Sequence, residues 1–470
     1  MQNLDKLFFN GDWSASRGNE WLPVINPATE TEIARVPAGT ATDVDAAVAA
    51  AKAAFPAWSA TTIEERKQLL VAIADGMQAR FDELVDAVSS SMGCPAATAA
   101  WLQIEGPIEG MRLFADSLDQ IEIEQTMGNS LVVREAVGVC GFINPWNYPL
   151  HQFVGKVGAA LAAGCTMVVK PSEQTPLQDY LMAEIMADAG VPAGVFNLVP
   201  GRGQVVGSRL SQHPDVDMVS FTGSTRAGIE IAKAAAPSVK RVTQELGGKS
   251  PYIITPEADL AAAVRYGVED VMLNSGQTCT ALTRMLVHRS QYQQATEIAK
   301  GVAESLVVGT GEDAFLGPMS SSMQQQRVLE YIAKGQDEGA RLLCGGKAQQ
   351  VDGKGFYVEP TIFADVSNEM EIAREEIFGP VLCMIAYDSV EEAVEIANDT
   401  PYGLSSAVYA DNEENALKLA RQIRAGQCYM NGAQFSYHAP FGGYKQSGNG
   451  REFSVIGVEE FMEVKAIQRP

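Results

Sequence analysis

The chain has 470 residues, 46% of them hydrophobic, which predicts two or three well-buried subdomains rather than one ordinary core. Its 58 acidic and 35 basic side chains leave a formal charge of −23, and a surface that acidic argues against nucleic acid and anionic membranes as partners. No run reaches about 18 uninterrupted apolar residues. Met1–Asn10 lacks a signal-peptide core, and the seven cysteines show no CxxC spacing, so a cytoplasmic protein without a disulfide framework or a metal site is expected.

Up to about Glu124 the chain reads as mainly helical, with helix starts at Asp43 before an Ala-rich run and at Thr62-Ile63-Glu64-Glu65. From Val137 short apolar runs alternate with helical stretches: Val137–Ile143, Thr166–Lys170, Val195–Val199, Met218–Thr222, Lys240–Thr243 and Tyr252–Thr255. That alternation predicts βαβ units and a parallel sheet covered on both faces. A second series follows, with strands expected at Met285–His288, Val381–Tyr387, Ser406–Tyr409 and Cys428–Met430. Ile121–Arg134 and Val458–Ile467 read as strands without local partners, and one protruding sheet that pairs subunits would use both. There is no internal repeat of about 20–50 residues.

Four segments could carry chemistry. Ser220–Gly228 closes a strand and opens a helix, where free N–H groups and the helix dipole favour an anion such as a pyrophosphate. Gly223 would let a phosphate approach and Ser224 would add a hydroxyl, although the spacing is GxxxxG and a plain strand–helix turn reads equally well. Gly201–Gly207 misses the dinucleotide spacing by one residue and reads as a turn. Gly276-Gln277-Thr278-Cys279 sets a cysteine in a polar, flexible context, whereas Cys140, Cys165, Cys383 and Cys428 lie in apolar strand-like runs. Glu245 ends a strand before Gly247 and Gly248, where α/β folds place their sites, and a surface carboxylate is the competing reading. Asn147 lies between Pro145 and Pro149, which stiffen the backbone around an amide suited to an oxyanion.

Seven segments in order resemble the aldehyde dehydrogenase superfamily. They are Pro145–Pro149 (PWNYP), Lys170–Pro176 (KPSEQTP), Phe221–Thr225 (FTGST), Glu245–Lys249 (ELGGK), Gly276–Cys279 (GQTC), Glu375–Pro380 (EEIFGP) and Pro440–Lys445 (PFGGYK). The resemblance implies an α/β fold with a Rossmann-like cofactor domain (1–120 and 140–245), a second α/β catalytic domain (246–450) and a small β oligomerisation sheet (121–139 and 451–470). It implies Cys279 as nucleophile, Glu245 as general base, Asn147 as oxyanion donor and Glu452 as a proton-relay carboxylate. NAD is the implied cofactor, with Lys170 and Glu173 at the adenosine ribose, Gly223 and Ser224 at the pyrophosphate, and Glu376, Phe378 and Trp146 on the nicotinamide side. The implied partner is a small-molecule aldehyde, and the implied assembly is a homotetramer, with a homodimer as the alternative. Gly155 stands where many relatives carry a large side chain, so a roomy aldehyde tunnel is expected there unless Phe153 or His151 fills it. A coenzyme A-acylating relative and a metal-free cysteine hydrolase are the competing activities; the presence of Glu245 argues for hydrolysis.

Overall fold

The computed structural model describes residues 3–470. Its largest sheet has eight strands in the spatial order Asp12–Ser14, Leu7–Phe9, Phe196–Leu198, Thr166–Lys170, Val139–Ile143, Met218–Thr222, Arg241–Glu245 and Gly448–Asn449. The five central strands run parallel, and the outer ones join antiparallel. Val139–Ile143, Thr166–Lys170 and Met218–Thr222 are buried at every position, which is why they read as mainly apolar runs without strict alternation.

A second sheet of seven strands runs Arg341–Cys344, Thr361–Ala364, Val381–Tyr387, Arg284–His288, Pro251–Ile254, Ala407–Tyr409 and Tyr429–Met430. All its pairs are parallel except the first. The two orphan segments do share a sheet: Met462–Gln468 pairs along its whole length with Ser130–Ala136, which turns back on Glu124–Met127. This third sheet stays largely uncovered, with Val464 66% exposed.

The helix starts lie where expected. Thr62 and Glu65 form a reciprocal capping box, and Asp43 does the same with Thr40 at the head of Ala41–Ser59. The N-terminal expectation needs correction. Four strands precede the first helix, including the hairpin Trp21–Asn26 with Thr31–Pro37, and Leu7–Phe9 joins the large sheet through a residue 190 positions away, Leu198. Strands of three residues are too short to show a period, so only long-range pairing reveals them. Val458 belongs to the helical turn Ser454–Glu459, and the last strand begins at Met462.

Candidate active site

The parallel register brings the carboxyl ends of the central strands to one level: Ile143 lies beside Lys170, and Thr222 beside Glu245. Ligand crevices in open α/β sheets form at this edge. The segment after Ile143 carries Asn147, which is buried. Asn147 Nδ2 donates to the Gln277 carbonyl at 2.9 Å, and the Asn147 carbonyl accepts from Gln103 Nε2 at 3.0 Å and Asn274 Nδ2 at 3.1 Å. The amide is thus clamped against the loop that ends in Cys279.

That loop is tightly bent. Asn274, Ser275 and Gly276 have φ of 54°, 57° and 71°, so three successive residues occupy the left-handed region. At Gly276 a Cβ would lie 2.0 Å from the Gly379 carbonyl oxygen, so only glycine fits. Ser275 Oγ donates to the Gly317 carbonyl at 2.7 Å, and Gln277 Oε1 accepts from Ser320 N–H at 2.8 Å. These bonds stiffen the backbone that presents Cys279.

Two buried carboxylates share the site. Glu245 is 4% exposed and Glu452 5%, and one oxygen of each, Oε2 in both cases, has no partner in the chain. Glu452 Oε1 meets Lys156 Nζ at 2.7 Å; Lys156 is fully buried and also donates to Thr222 Oγ1 at 2.6 Å and Gln152 Oε1 at 3.3 Å. Burial, and then the charge of Glu452, hold the Glu245 carboxyl well above the usual range. Burial also raises the Cys279 thiol, with smaller contributions from Glu376 and Glu245. The thiol and the two carboxylates therefore sense one another electrostatically.

At the same sheet edge, Lys170 Nζ donates to Glu173 Oε2 at 3.1 Å, and Glu173 Oε1 accepts from Gly203 N–H at 2.7 Å. Ser224 caps the helix Thr225–Ala235. Its first-turn amides, on Thr225 and Arg226, point outward without a partner in the chain, as helix starts do. Gly223 sits immediately before this cap. Glu376 Oε1 accepts from Gly248 N–H at 2.9 Å, and burial pushes its carboxyl up to about 7. Trp146 and Phe378 meet edge to face, 5.4 Å between ring centroids. Both polar atoms of Asn144 are buried without a partner beside this edge. A basic side chain, a carboxylate, helix-start amides and unsatisfied polar atoms are the kinds of group that suit a long, polar, anionic cofactor such as NAD.

A cavity of about 620 Å³ is lined in part by Cys279 and its neighbours Thr278 and Thr280. Gly155 does not line it. A Cβ there would lie 3.0 Å from Glu452 Oε2 and 3.1 Å from Phe453 Cζ, so the space expected to be open is filled by Phe453, with His151 packed on its ring at 4.9 Å. The glycine admits Glu452 and Phe453; it does not widen the tunnel.

A sequence model described as the aldehyde dehydrogenase family matches residues 13–467. The chain belongs to the aldehyde dehydrogenase family. A 3-succinoylsemialdehyde-pyridine dehydrogenase of a Pseudomonas species is 47% identical, over 99% of both chains. Among solved structures, a mutant of aldehyde dehydrogenase C from Pseudomonas syringae, in complex with NAD+ and octanal, is 48% identical with a TM-score of 0.98, covering 99% of this chain and 97% of that one. A Mycobacterium tuberculosis aldehyde dehydrogenase complexed with NAD+ is 42% identical with a TM-score of 0.97, covering 99% and 98%.

With the family known, the cysteine hydrolase alternative falls away. Three residues of this aldehyde dehydrogenase site escaped the sequence reading: Lys156, Gln103 and Asn274. Lys156 left a signal, being the one Lys or Arg in a 15-residue helix buried at nearly every position. Charges that deep are retained when they are paired. Gln103 left none, because it lies 44 residues from the carbonyl it holds.

Proposed function

We propose that this aldehyde dehydrogenase oxidises an aldehyde to its carboxylic acid with NAD, and that Cys279, Asn147, Glu245 and Glu452 perform the steps. The observation that carries this reading is a thiol that lines the cavity, an amide clamped to the loop that presents it, and two buried carboxylates whose charges reach it. The Cys279 thiol loses its proton to solvent, the thiolate sulfur forms a bond to the carbonyl carbon, and the C=O electron pair moves to oxygen. The second N–H of the Asn147 amide and the Cys279 backbone N–H hold that oxygen. NAD, when bound, supplies the acceptor for the hydride that leaves as the alkoxide collapses to a thioester. Glu245 then takes a proton from water, whose oxygen bonds to the thioester carbon; the C–S bond breaks, and the acid leaves. The unpartnered Glu452 Oε2 offers that proton an onward station, with Lys156 behind it.

Lys170 and Glu173 would hold the adenosine ribose, Gly223 and Ser224 the pyrophosphate, and Glu376, Phe378 and Trp146 the nicotinamide side. The eight-stranded sheet supports the cofactor and the seven-stranded sheet the catalytic loop. The exposed third sheet fits a role in pairing subunits, and a cytoplasmic homotetramer is the assembly this favours. The size of the cavity, together with one relative complexed with octanal and another named for a pyridine semialdehyde, supports long or ring-bearing aldehydes.

The direct test is NADH formation from NAD and a medium-chain aldehyde without coenzyme A, with the acid identified as product. A strict requirement for coenzyme A would establish the acylating alternative. Two further outcomes are expected. The ratio kcat/KM with NAD exceeds that with NADP by about tenfold or more, because the Glu173 carboxylate accepts from a ribose hydroxyl and repels a phosphate there; equal values would remove Glu173 from that role. The pH profile of kcat/KM rises from neutral pH into the alkaline range. The sign follows from the raised Glu245 and Cys279: each works deprotonated, and each stays protonated to a higher pH than the free side chain. A flat profile over that range would contradict it.

A further inference from the structure

The outer part of the Cys279 cavity has a chemistry the oxidation itself does not require. Its wall is largely aromatic, with Trp101, Tyr148, Tyr266, Phe435, Tyr437 and Phe441 among the lining residues. Four carboxylates also line it, Glu105, Glu109, Glu269 and Asp270, and no lysine or arginine does. The inner histidine, His151, is kept neutral, pushed down to about 3 by burial and by Lys156.

The carboxylates are not equivalent. Glu269 is paired with Arg265 at 3.2 Å, and Asp270 is half-buried and accepts from Leu282 N–H at 2.8 Å. Glu105 and Glu109 are exposed and have no ion-pair partner among the described residues. They stand one helical turn apart and alternate with two glycines, Gly106 and Gly110. Tyr437 lies on those glycines: a Cβ at Gly106 would be 2.3 Å from Tyr437 Oη, and one at Gly110 3.0 Å from Tyr437 Cδ1. The ring is fixed there by the 2.9 Å hydrogen bond between Tyr437 Oη and His151 Nδ1 and by edge contact with Phe435 at 4.9 Å. The charge of Glu109 reaches Tyr437, where it adds to burial in raising the phenol. An immobile aromatic ring is thus flanked by two free carboxylates. Ring faces and carboxylates attract the same kind of group, a cation with an apolar skirt.

We propose that Glu105, Glu109 and Tyr437 form a cation subsite at the cavity mouth, selecting aldehydes whose far end carries a positively charged nitrogen over neutral and anionic aldehydes of the same shape. The proposal rests on the reading of Cys279 as the thiol that meets the aldehyde in this cavity. A volume of about 620 Å³ accommodates a chain of several carbons between the reacting carbonyl and such a head. The net charge of −23 adds long-range attraction for the same substrates.

The test uses three aldehydes of one length: 4-trimethylammoniobutanal, its uncharged carbon isostere 5,5-dimethylhexanal, and the anion 5-oxopentanoate. The wild-type enzyme is expected to rank them in that order by kcat/KM, with a preference that shrinks as salt is added. The double variant Glu105→Gln, Glu109→Gln should lower the ratio of cationic to anionic kcat/KM by roughly tenfold, the scale of two exposed charges acting on one. Equal wild-type values for the cation and its isostere, or an unchanged ratio in the double variant, would overturn the subsite. The corresponding unreactive alcohols, titrated against the intrinsic fluorescence of the NAD-free enzyme, separate this from the activity. If none of the three aldehydes yields NADH, the oxidation reading fails, and the alcohols still decide the subsite: tighter binding of the cation supports it, and equal binding overturns it.

Discussion

Replacing Cys279 by alanine is expected to lower kcat by on the order of 10⁴-fold or more while leaving NAD binding intact. The size of the loss follows from the site's geometry. No other thiol is available: among the described residues Cys94, Cys140, Cys165 and Cys383 are buried, and Cys344 and Cys428 do not line the cavity. The backbone that presents position 279 is held by bonds that do not involve the sulfur, from Ser275, Gln277 and Asn147. Alanine therefore keeps the loop and the oxyanion donors and removes only the atom that would bond to carbon. Lys170, Glu173 and Ser224 are untouched, so NAD should titrate the variant with a Kd within about threefold of the parent. Steady-state kinetics and cofactor titration on one preparation check both halves. More than a few per cent of the parental kcat would remove Cys279 from its role, and loss of NAD binding would mean that the loop had collapsed.

The second large effect is expected at Glu245. Glu245→Gln keeps the shape of the side chain and abolishes the base, so thioester hydrolysis should slow by about a hundredfold to ten-thousandfold. Thioester formation needs no proton taken from water and should survive. The expected trace is a burst of NADH approaching one equivalent per active site, followed by slow turnover, with an acyl adduct mapped to Cys279 by mass spectrometry. Glutamine also removes a charge that Cys279 senses. The thiol should then ionise somewhat more easily, which favours the burst. Absence of both burst and adduct, even at raised pH, would show that Glu245 does not act in deacylation. Turnover at the parental rate would assign the base to another carboxylate, with Glu452 the first candidate.

Much of the architecture is legible in the chain because its physics is local. A strand buried on both faces is mostly apolar, and Thr166–Lys170, Met218–Thr222 and Val381–Tyr387 occur at those positions in the structure. A capping box needs only residues three apart, so Thr62 and Glu65 announce their helix. Seven short motifs in order identify the family, because each combines residues whose chemistry depends on neighbours in sequence. Family membership in turn singled out Cys279, Glu245 and Asn147, whose local contexts left simpler readings open.

Contacts between distant segments were beyond that reach. Lys156 and Glu452 are 296 residues apart, and nothing near either one shows that they would pair inside the protein. The same holds for Gln103 on the Asn147 carbonyl and for Tyr437 on Gly106. Gly155 is the instructive case. In sequence a missing side chain reads as empty space, yet close packing leaves no such vacancy, and Phe453 and Glu452 arrive from the far end of the chain to occupy it. The sequence by itself determined the family and the central strands of both large sheets, and it singled out Cys279 as the candidate thiol. Only the tertiary structure decided the partners of the buried charges and the shape and charge of the substrate path, because those depend on which remote segments the folded core brings into contact.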